Sequence, residues 1–276
     1  MQKPMEIITS RQNALLTLTE RLLDRKHRRR EGLFRFDGRK LFLEALQSGL
    51  PLFAVLVKES CAAEIVDFAG QNELPEGCRC VLLPDALFDR ISEEKSPDGV
   101  ICLSKSLDKI HKIVTIDKRM PENACDFEGR MLLLESVRDP GNLGTVIRTA
   151  RAFGIDTLVL SADCADIYNP RTIRAAMGTL FSQRIYVVED LVGLVRTLAT
   201  DRSVYAAALD AGAARLGEVQ FGVRDAVVIG NEGHGLSPEL IAACTRSIYI
   251  PMEPGVESLN AGVAASVLLW EFYRGK

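Results

Sequence analysis

The stretch MLLLESVRDPGNLGTVIRTARAFG, residues 131–154, joins a short apolar run, a turn and an amphipathic helix. Residues 131–134 are all apolar, which is typical of a strand buried on both faces of a sheet. Residues 139–142, DPGN, favour a turn, and apolar residues then recur at helical spacing from Leu143 to Phe153. The stretch predicts half of a βαβ unit in an open parallel sheet, a fold that binds ligands at the carboxyl ends of its strands.

Length and composition indicate a globular α/β protein with two domains. The chain has 276 residues, of which 47% are hydrophobic and 26% are charged, enough for a full domain and a smaller one. The longest uncharged apolar stretch, residues 261–270, is shorter than a membrane span, and the first residues lack the apolar core of a signal peptide. We therefore expect a cytoplasmic protein. Seven scattered cysteines without a CxxC pair and three separated histidines indicate neither a disulfide framework nor a metal site.

Positive charge is concentrated near the N-terminus. Residues 1–40 hold eleven Lys and Arg against five Asp and Glu, although the whole chain has a net charge of −3. Such a concentration is expected where a protein contacts phosphates, and the alternative is a solvated helical face. The candidate phosphate-binding residues are those of the densest run: Arg25, Lys26, Arg28, Arg29 and Arg30.

The order of strand and helix patterns predicts where the two domains lie. Residues 11–30 have the periodicity of one long helix, and short strands and helices alternate after it, so we expect a small α/β domain over residues 1–106. The charged stretch 107–128 is a predicted linker, in which 113–116 could add an edge strand. Residues 129–276 alternate strands and helices again and form the larger α/β domain.

Three turns that follow predicted strands combine glycine with asparagine or serine: residues 140–144, 229–235 and 250–260. Glycine lets a ligand approach the backbone, and Asn and Ser side chains can bond either a ligand or a neighbouring loop. Three such turns at one sheet edge predict a composite pocket.

Three long motifs in fixed order resemble those of a known family. They are DPGNLGTVIRTARAFG at 139–154, VVIGNEGHGL at 227–236 and IPMEPGVESLNAGVAAS at 250–266. These motifs closely resemble the three motifs of the SpoU/TrmH-family RNA 2′-O-ribose methyltransferases, which belong to the SPOUT class. Residues 8–38, ITSRQNALLTLTERLLDRKHRRREGLFRFDG, resemble the start of the family's N-terminal RNA-binding module. The resemblance covers nearly the whole chain.

The resemblance implies a C-terminal parallel-sheet SPOUT domain with a trefoil knot and a smaller N-terminal α/β RNA-binding domain. It implies S-adenosylmethionine bound in the knot, with adenine held by backbone groups at Gly230, Ile250 and Leu259, and with Asn231 and Met252 as further cofactor-binding residues. The implied reaction methylates a ribose 2′-hydroxyl, and we expect ribosomal rather than transfer RNA as the substrate. A homodimer through the apolar C-terminal helix, with the active site near the interface, is also implied.

Five polar residues match the catalytic positions of the family. Arg148 matches the catalytic arginine; because a guanidinium stays protonated, we expect it to grip a phosphate and stabilise a developing alkoxide. The proton acceptor is open. We expect Glu232 or Asn142 to orient Arg148, and Ser258 and Asn260 to hold the loop and the ribose. Alternatively, the two asparagines and the serine only cap helices, the arginine is a surface charge and the glutamate is an exposed turn residue.

Two other functions are open at this point. One is a non-catalytic RNA-binding protein on the same fold. The other is a nicotinamide-dependent oxidoreductase, against which only Gly141 and Gly144 of the three fingerprint glycines are present. The sequence has no P-loop and no GxSxG elbow, and we interpret His234 as a loop residue.

Overall fold

The computed structural model describes residues 6–69, 73–107, 113–116, 127, 129–155, 157–256 and 258–274. The chain divides into two compact units, one of residues 1–110 with 168–182 and one of residues 111–167 with 183–276. The first unit thus includes Tyr168–Ser182, a segment that the sequence boundaries assign to the C-terminal domain. Within that unit, the backbone N–H of Gly178 donates to the Glu44 carboxylate at 2.7 Å.

Strands and helices alternate along much of the part of the chain that the structure describes. The strands are β1 (Glu6–Ile7), β2 (Leu33–Asp37), β3 (Leu52–Lys58), β4 (Arg79–Leu83), β5 (Val100–Lys105), β6 (Ile113–Ile116), β7 (Met131–Leu134), β8 (Thr157–Ser161), β9 (Arg184–Val188), β10 (Val204–Ala207), β11 (Ala214–Arg215), β12 (Ala226–Ile229) and β13 (Arg246–Tyr249). The helices are α1 (Ala14–Arg21), α2 (Arg25–Glu31), α3 (Arg39–Gln47), α4 (Ala62–Ala69), α5 (Asp85–Ile91), α6 (Pro140–Ala152), α7 (Pro170–Ala176), α8 (Thr179–Ser182), α9 (Leu191–Leu198), α10 (Pro238–Ala243) and α11 (Ala261–Arg274).

The first unit has a mixed sheet in the order β1-β4-β3-β5-β2. Strands β1, β4 and β3 are parallel, and β5 is antiparallel to both β3 and β2. This arrangement confirms the predicted N-terminal α/β fold. The two-residue strands β1 and β11 were not predicted, because two residues are too few to show a hydrophobic period.

The basic segment forms a helix of its own. The prediction of one helix over residues 11–30 is wrong, because α1 ends at Arg21 and α2 begins at Arg25. The Asp24 side chain accepts a hydrogen bond from the backbone N–H of Lys26 at 2.6 Å, which starts the second helix. Gly32 ends it with a left-handed φ of 62°.

Arg28 is buried, unlike the other basic residues of α2. It is only 4% exposed, and its Nη1 donates to the carbonyl oxygens of Leu22 at 2.8 Å and Leu23 at 2.6 Å. The guanidinium therefore holds the turn between α1 and α2. The exposed basic residues of the run are Arg25, Lys26, Arg29 and Arg30.

The second unit has an eight-stranded sheet in the order β11-β13-β10-β12-β7-β8-β9-β6. Every neighbouring pair is parallel, which confirms the predicted parallel sheet. All residues of β7 are fully buried between β12 and β8, as its uninterrupted apolar sequence predicts. The sheet includes β6 as an edge strand, the position that the sequence left open for residues 113–116.

Helix α6 follows β7 and packs against the C-terminal helix. Asp139 caps its N-terminus by accepting from the Asn142 backbone N–H at 2.8 Å, and Pro140 supplies the first helical φ. Helix α11 lies against it, with the hydroxyl groups of Thr149 and Ser266 3.3 Å apart.

The C-terminal helix is apolar on both its buried and its exposed faces. Its inner face is buried at Ala261, Gly262, Ala265, Leu268, Leu269 and Phe272. Val263, Val267, Trp270 and Tyr273 recur at helical spacing and stay exposed, Trp270 by 51%. Neither α11 nor any other helix among the described residues is long and apolar enough to cross a membrane.

Candidate active site

The three glycine-containing loops meet at the carboxyl edge of the parallel sheet. The first precedes and begins α6 after β7, the second follows β12 at residues 230–235, and the third follows β13 at 250–260. Because parallel strands all end at the same edge, loops that are far apart in sequence become neighbours there. Hydrogen bonds between their side chains then fix their positions.

Glu232 joins the second loop to the first. Its Oε1 accepts from Asn142 Nδ2 at 3.0 Å and from the Asp139 backbone N–H at 3.3 Å. Its Oε2 accepts at 3.4 Å from both the Arg138 backbone N–H and Asn231 Nδ2. Burial alone would raise the pKa of Glu232, but the hydrogen bonds from Asn142 and from backbone N–H groups outweigh it and lower the pKa below its ordinary value. The carboxylate is therefore ionised at neutral pH.

Asn260 joins the third loop to the first. Its Nδ2 donates to Asn142 Oδ1 at 2.8 Å, and its Oδ1 accepts from the backbone N–H groups of Gly262 at 2.9 Å and Val263 at 3.3 Å. Asn260 thus caps α11 and links two loops at once. The capping alternative for Asn142 is wrong, because Asp139 is the cap of α6 and both amide atoms of Asn142 bond to other loops.

Arg148 lies apart from this network. It is exposed on α6 and makes no hydrogen bond or ion pair within the part of the chain that the structure describes. The expected contact of Glu232 or Asn142 with Arg148 is therefore not formed among these residues. Its guanidinium remains available for an external anion.

A cavity of about 580 Å³, which we call the large cavity, lies between the second and third loops. Its volume is within the range of small-molecule sites. All the residues expected to bind the cofactor line it: Gly230, Asn231, Ile250, Met252 and Leu259. Glu232 and Ser258 line it as well.

Gly230 is required for the shape of this cavity. A Cβ at this position would lie 2.3–2.5 Å from backbone atoms of Gly235 and Leu236, closer than real Cβ atoms come. The residues around it form an isolated bridge between Asn231 and Gly235. Asn231 stabilises the bridge, since its Nδ2 donates to the Ser136 carbonyl at 2.8 Å and its Oδ1 accepts from the Gly233 N–H at 2.9 Å. Only glycine fits at this point of the second loop.

A second polar cluster, which sequence reasoning missed, lies at the ends of β7 and β8. Asp163 accepts from the hydroxyls of Ser136 at 2.5 Å and Ser161 at 2.6 Å, and from Arg138 Nη2 at 3.1 Å. Burial would raise the pKa of Asp163, but these hydrogen bonds outweigh it and lower the pKa. The signal was available, because all four residues lie at or just after the ends of two neighbouring strands, but only the tertiary structure shows their mutual contacts.

The described residues contain no group of three or more His, Cys, Asp or Glu side chains that could hold a metal ion.

The sequence matches known families over both of its halves. Residues 129–270 match the SpoU rRNA Methylase family, and residues 13–102 match the MRM3-like substrate binding domain. The chain is 31% identical over 267 residues to the 23S rRNA (guanosine(2553)-2'-O)-methyltransferase RlmP of Bacillus subtilis, covering 96% of this chain and 98% of the relative. It is 28% identical over 284 residues to the 23S rRNA (uridine(2479)-2'-O)-methyltransferase of Streptomyces viridochromogenes, covering 97% and 91%.

A solved structure supports the same relationship. The AdoMet-bound rRNA methyltransferase of Sinorhizobium meliloti superposes with a TM-score of 0.79 at 25% identity, over 98% of each chain.

The close approach at Gly230 generates a prediction. Gly230→Ala should lower the free energy of unfolding by about 1–3 kcal/mol, because the new methyl group meets backbone that cannot rotate away. Gly233→Ala, in the same loop, is the matched control, since its Cβ would meet only Asn231 Oδ1 at 3.6 Å. Urea unfolding of both full-length variants measures the difference, and equal midpoints would contradict this account of the loop.

Proposed function

This chain belongs to the SpoU rRNA Methylase family, and we propose that it transfers the methyl group of S-adenosylmethionine to a ribose 2′-hydroxyl of ribosomal RNA. The observation that carries the proposal is the large cavity, whose lining comes from the second and third motifs and whose edge carries the Asn142–Glu232–Asn260 network.

The large cavity fits S-adenosylmethionine in both volume and chemistry. Gly230, Ile250 and Leu259 line the cavity together with Asn231 and Met252, and we assign the backbone groups of the first three to adenine. The acidic side chains Glu232 and Glu253 also line the cavity, and negative charge favours the cationic sulfonium. When bound, this cofactor supplies an electrophilic methyl group.

The hydrogen-bonded asparagines and Glu232 hold the substrate ribose beside the large cavity. Methyl transfer needs the 2′-oxygen in line with the methyl carbon, so a rigid hydrogen-bonded frame contributes by positioning. Ser258 is exposed in the cavity lining, and we assign it the role of bonding the ribose from the third loop. Arg148 binds the adjacent phosphate and stabilises the alkoxide that develops. Its guanidinium is available for this role because it is exposed and makes no hydrogen bond to Glu232 or to the two asparagines.

The role of Arg148 leads to the test of the proposed function. Wild-type protein should transfer tritiated methyl groups from S-adenosylmethionine to ribosomal RNA taken from cells that lack the protein. Arg148→Ala should slow this transfer by roughly a hundredfold or more, because a charge that stabilises the transition state is lost. Cofactor affinity, measured by calorimetry, should be unchanged, since Arg148 does not line the large cavity.

Arg196→Ala, which removes an exposed arginine of α9, is the control and should methylate normally. An inactive wild-type protein would favour the non-catalytic RNA-binding alternative. An Arg148→Ala variant that methylates at the wild-type rate would refute only the role that we assign to Arg148.

We propose that α2 binds the RNA backbone through Arg25, Lys26, Arg29 and Arg30. All four are exposed on a short helix, and Arg30 is paired with Glu31 at 2.7 Å, so the charges of Arg25, Lys26 and Arg29 are less compensated than that of Arg30. Phosphate contacts of this kind release counterions and make binding depend on salt.

Arg25→Ala with Arg29→Ala should therefore weaken RNA binding and reduce the slope of log K against log salt by about 0.7–0.9 for each phosphate that is no longer neutralised. Arg28→Met is the matched control: it removes a buried guanidinium, so it should destabilise the protein and leave the salt slope unchanged. Filter binding of the same ribosomal RNA across a salt series measures both. A reduced slope in Arg28→Met alone would contradict this assignment.

We also propose a homodimer through the exposed face of α11. Val263, Val267, Trp270 and Tyr273 form this face, and Phe153 extends it with ring centroids 5.8 Å from Trp270. A contiguous apolar surface of this kind favours a protein partner. Because α11 packs on α6, the helix of Arg148, the active site would lie near the interface. After the third loop the chain returns to pack α11 on α6, which supports the trefoil knot that we propose. We also propose a cytoplasmic location.

Val267→Lys should raise the dimer dissociation constant by roughly thirtyfold or more, because it buries a charge at the centre of the face. Ile7→Lys, which changes an exposed apolar residue of the first unit, should leave assembly unchanged. Sedimentation velocity over a concentration series measures this, and a Val267→Lys dimer of wild-type affinity would exclude the face.

A further inference from the structure

A second cavity of about 350 Å³, which we call the small cavity, has no role in the scheme above. It is lined by Glu135, Ser136, Arg138, Asn231, His234, Gly235, Leu236, Ser237 and Pro238. Asn231 and Gly235 line the large cavity too, so the second loop contributes to both. The volume suits a ligand at the small end of the usual range.

Planar groups surround the small cavity. His234 is exposed, and its ring Nδ1 lies 3.3 Å from Asn231 Oδ1, which holds the imidazole beside the second loop. The Arg138 guanidinium is held by Asp163, with Nη2 3.1 Å from the carboxylate. The ring of Pro238 and the buried side chain of Leu236 add apolar surface. Flat groups of this kind are what unstacked RNA bases contact in proteins.

The charges around the small cavity disfavour a phosphate. Arg138 is already paired with Asp163, so its positive charge is compensated. Glu135 adds a carboxylate whose two oxygens accept from Ser237, from the backbone N–H at 2.7 Å and from the hydroxyl at 2.6 Å. An anion in the small cavity would therefore meet the Glu135 carboxylate and an arginine whose charge is already compensated, whereas a neutral planar ligand meets no such repulsion.

The small cavity is adjacent to the residues that hold the ribose. The Arg138 backbone N–H donates to Glu232 Oε2 at 3.4 Å, and Asn231 Nδ2 contacts the same oxygen at the same distance. A ribose bonded to the frame of Glu232 and Asn142 thus has its attached base within reach of Arg138 and His234. Unstacked bases of single-stranded RNA commonly pack against flat side chains of this kind.

We propose that the small cavity receives the nucleobase of the target nucleotide, stacked against the Arg138 guanidinium and the His234 ring. This inference rests on the proposed function, since it assumes that a ribose is held at Glu232. It makes Arg138 and His234 substrate-contacting residues that position the 2′-hydroxyl for the methyl group.

Paired substitutions separate stacking from charge. His234→Phe keeps a flat ring without a titratable nitrogen, and His234→Ala removes the ring. Arg138→Lys keeps the charge and can still pair with Asp163, but it removes the flat guanidinium. Arg196→Ala on α9 is the control, because this exposed arginine lines neither cavity. Methyl transfer to ribosomal RNA from cells that lack the protein gives kcat and KM, and calorimetry gives the affinity for S-adenosylmethionine.

Stacking on a base predicts that His234→Ala and Arg138→Lys each lose roughly tenfold or more in kcat/KM, that His234→Phe loses clearly less than His234→Ala, and that Arg196→Ala remains near wild type. Cofactor affinity should be unchanged in all four, which also shows that each variant is folded. If His234→Phe is as impaired as His234→Ala, or Arg138→Lys is fully active, the base pocket is refuted and a charge-based contact replaces it. A wild-type protein without methyl transfer would instead refute the proposed function itself.

Discussion

The ionised carboxylate of Glu232 is the constraint on which the active site depends. It accepts hydrogen bonds from Asn142 and from two backbone N–H groups at the start of α6, so it fixes the second loop against the first. Asn260 extends the frame to the third loop through Asn142. Because the pKa of Glu232 is lowered, its carboxylate stays ionised at neutral pH and keeps the hydrogen bonds that fix the loops. These bonds are lost only as the pH falls below the usual range of glutamate pKa values.

The parallel sheet explains why this frame encloses cavities. The carboxyl ends of β7, β12 and β13 lie at one edge, so their loops converge and leave space between them. The backbone must turn tightly at Gly230, where a Cβ would overlap Gly235 and Leu236. The second loop then lines both the large and the small cavity, which brings the proposed cofactor site and the proposed base site next to the same carboxylate.

In the N-terminal unit, neighbouring arginines of one basic run have two different roles. Arg28 and Arg29 are adjacent and chemically identical, yet the first is buried against the carbonyls of Leu22 and Leu23 and the second is exposed. The helix break at Asp24 produces this difference, because it creates the unpaired carbonyl groups that a buried guanidinium can satisfy. Charge density alone predicts phosphate contacts for both.

The sequence by itself determined the parallel α/β fold and the order of the motifs, and the family resemblance named five of the residues that line the large cavity: Gly230, Asn231, Ile250, Met252 and Leu259. Hydrophobic period, turn chemistry and long motifs are local properties, so they are readable along the chain. Only the tertiary structure decided that Asn142 bonds Glu232 and Asn260 rather than capping α6, and that Arg148 stands apart from them. These partners are 90 and 118 residues away in sequence, and burial and hydrogen bonding depend on which distant groups the folded sheet brings together.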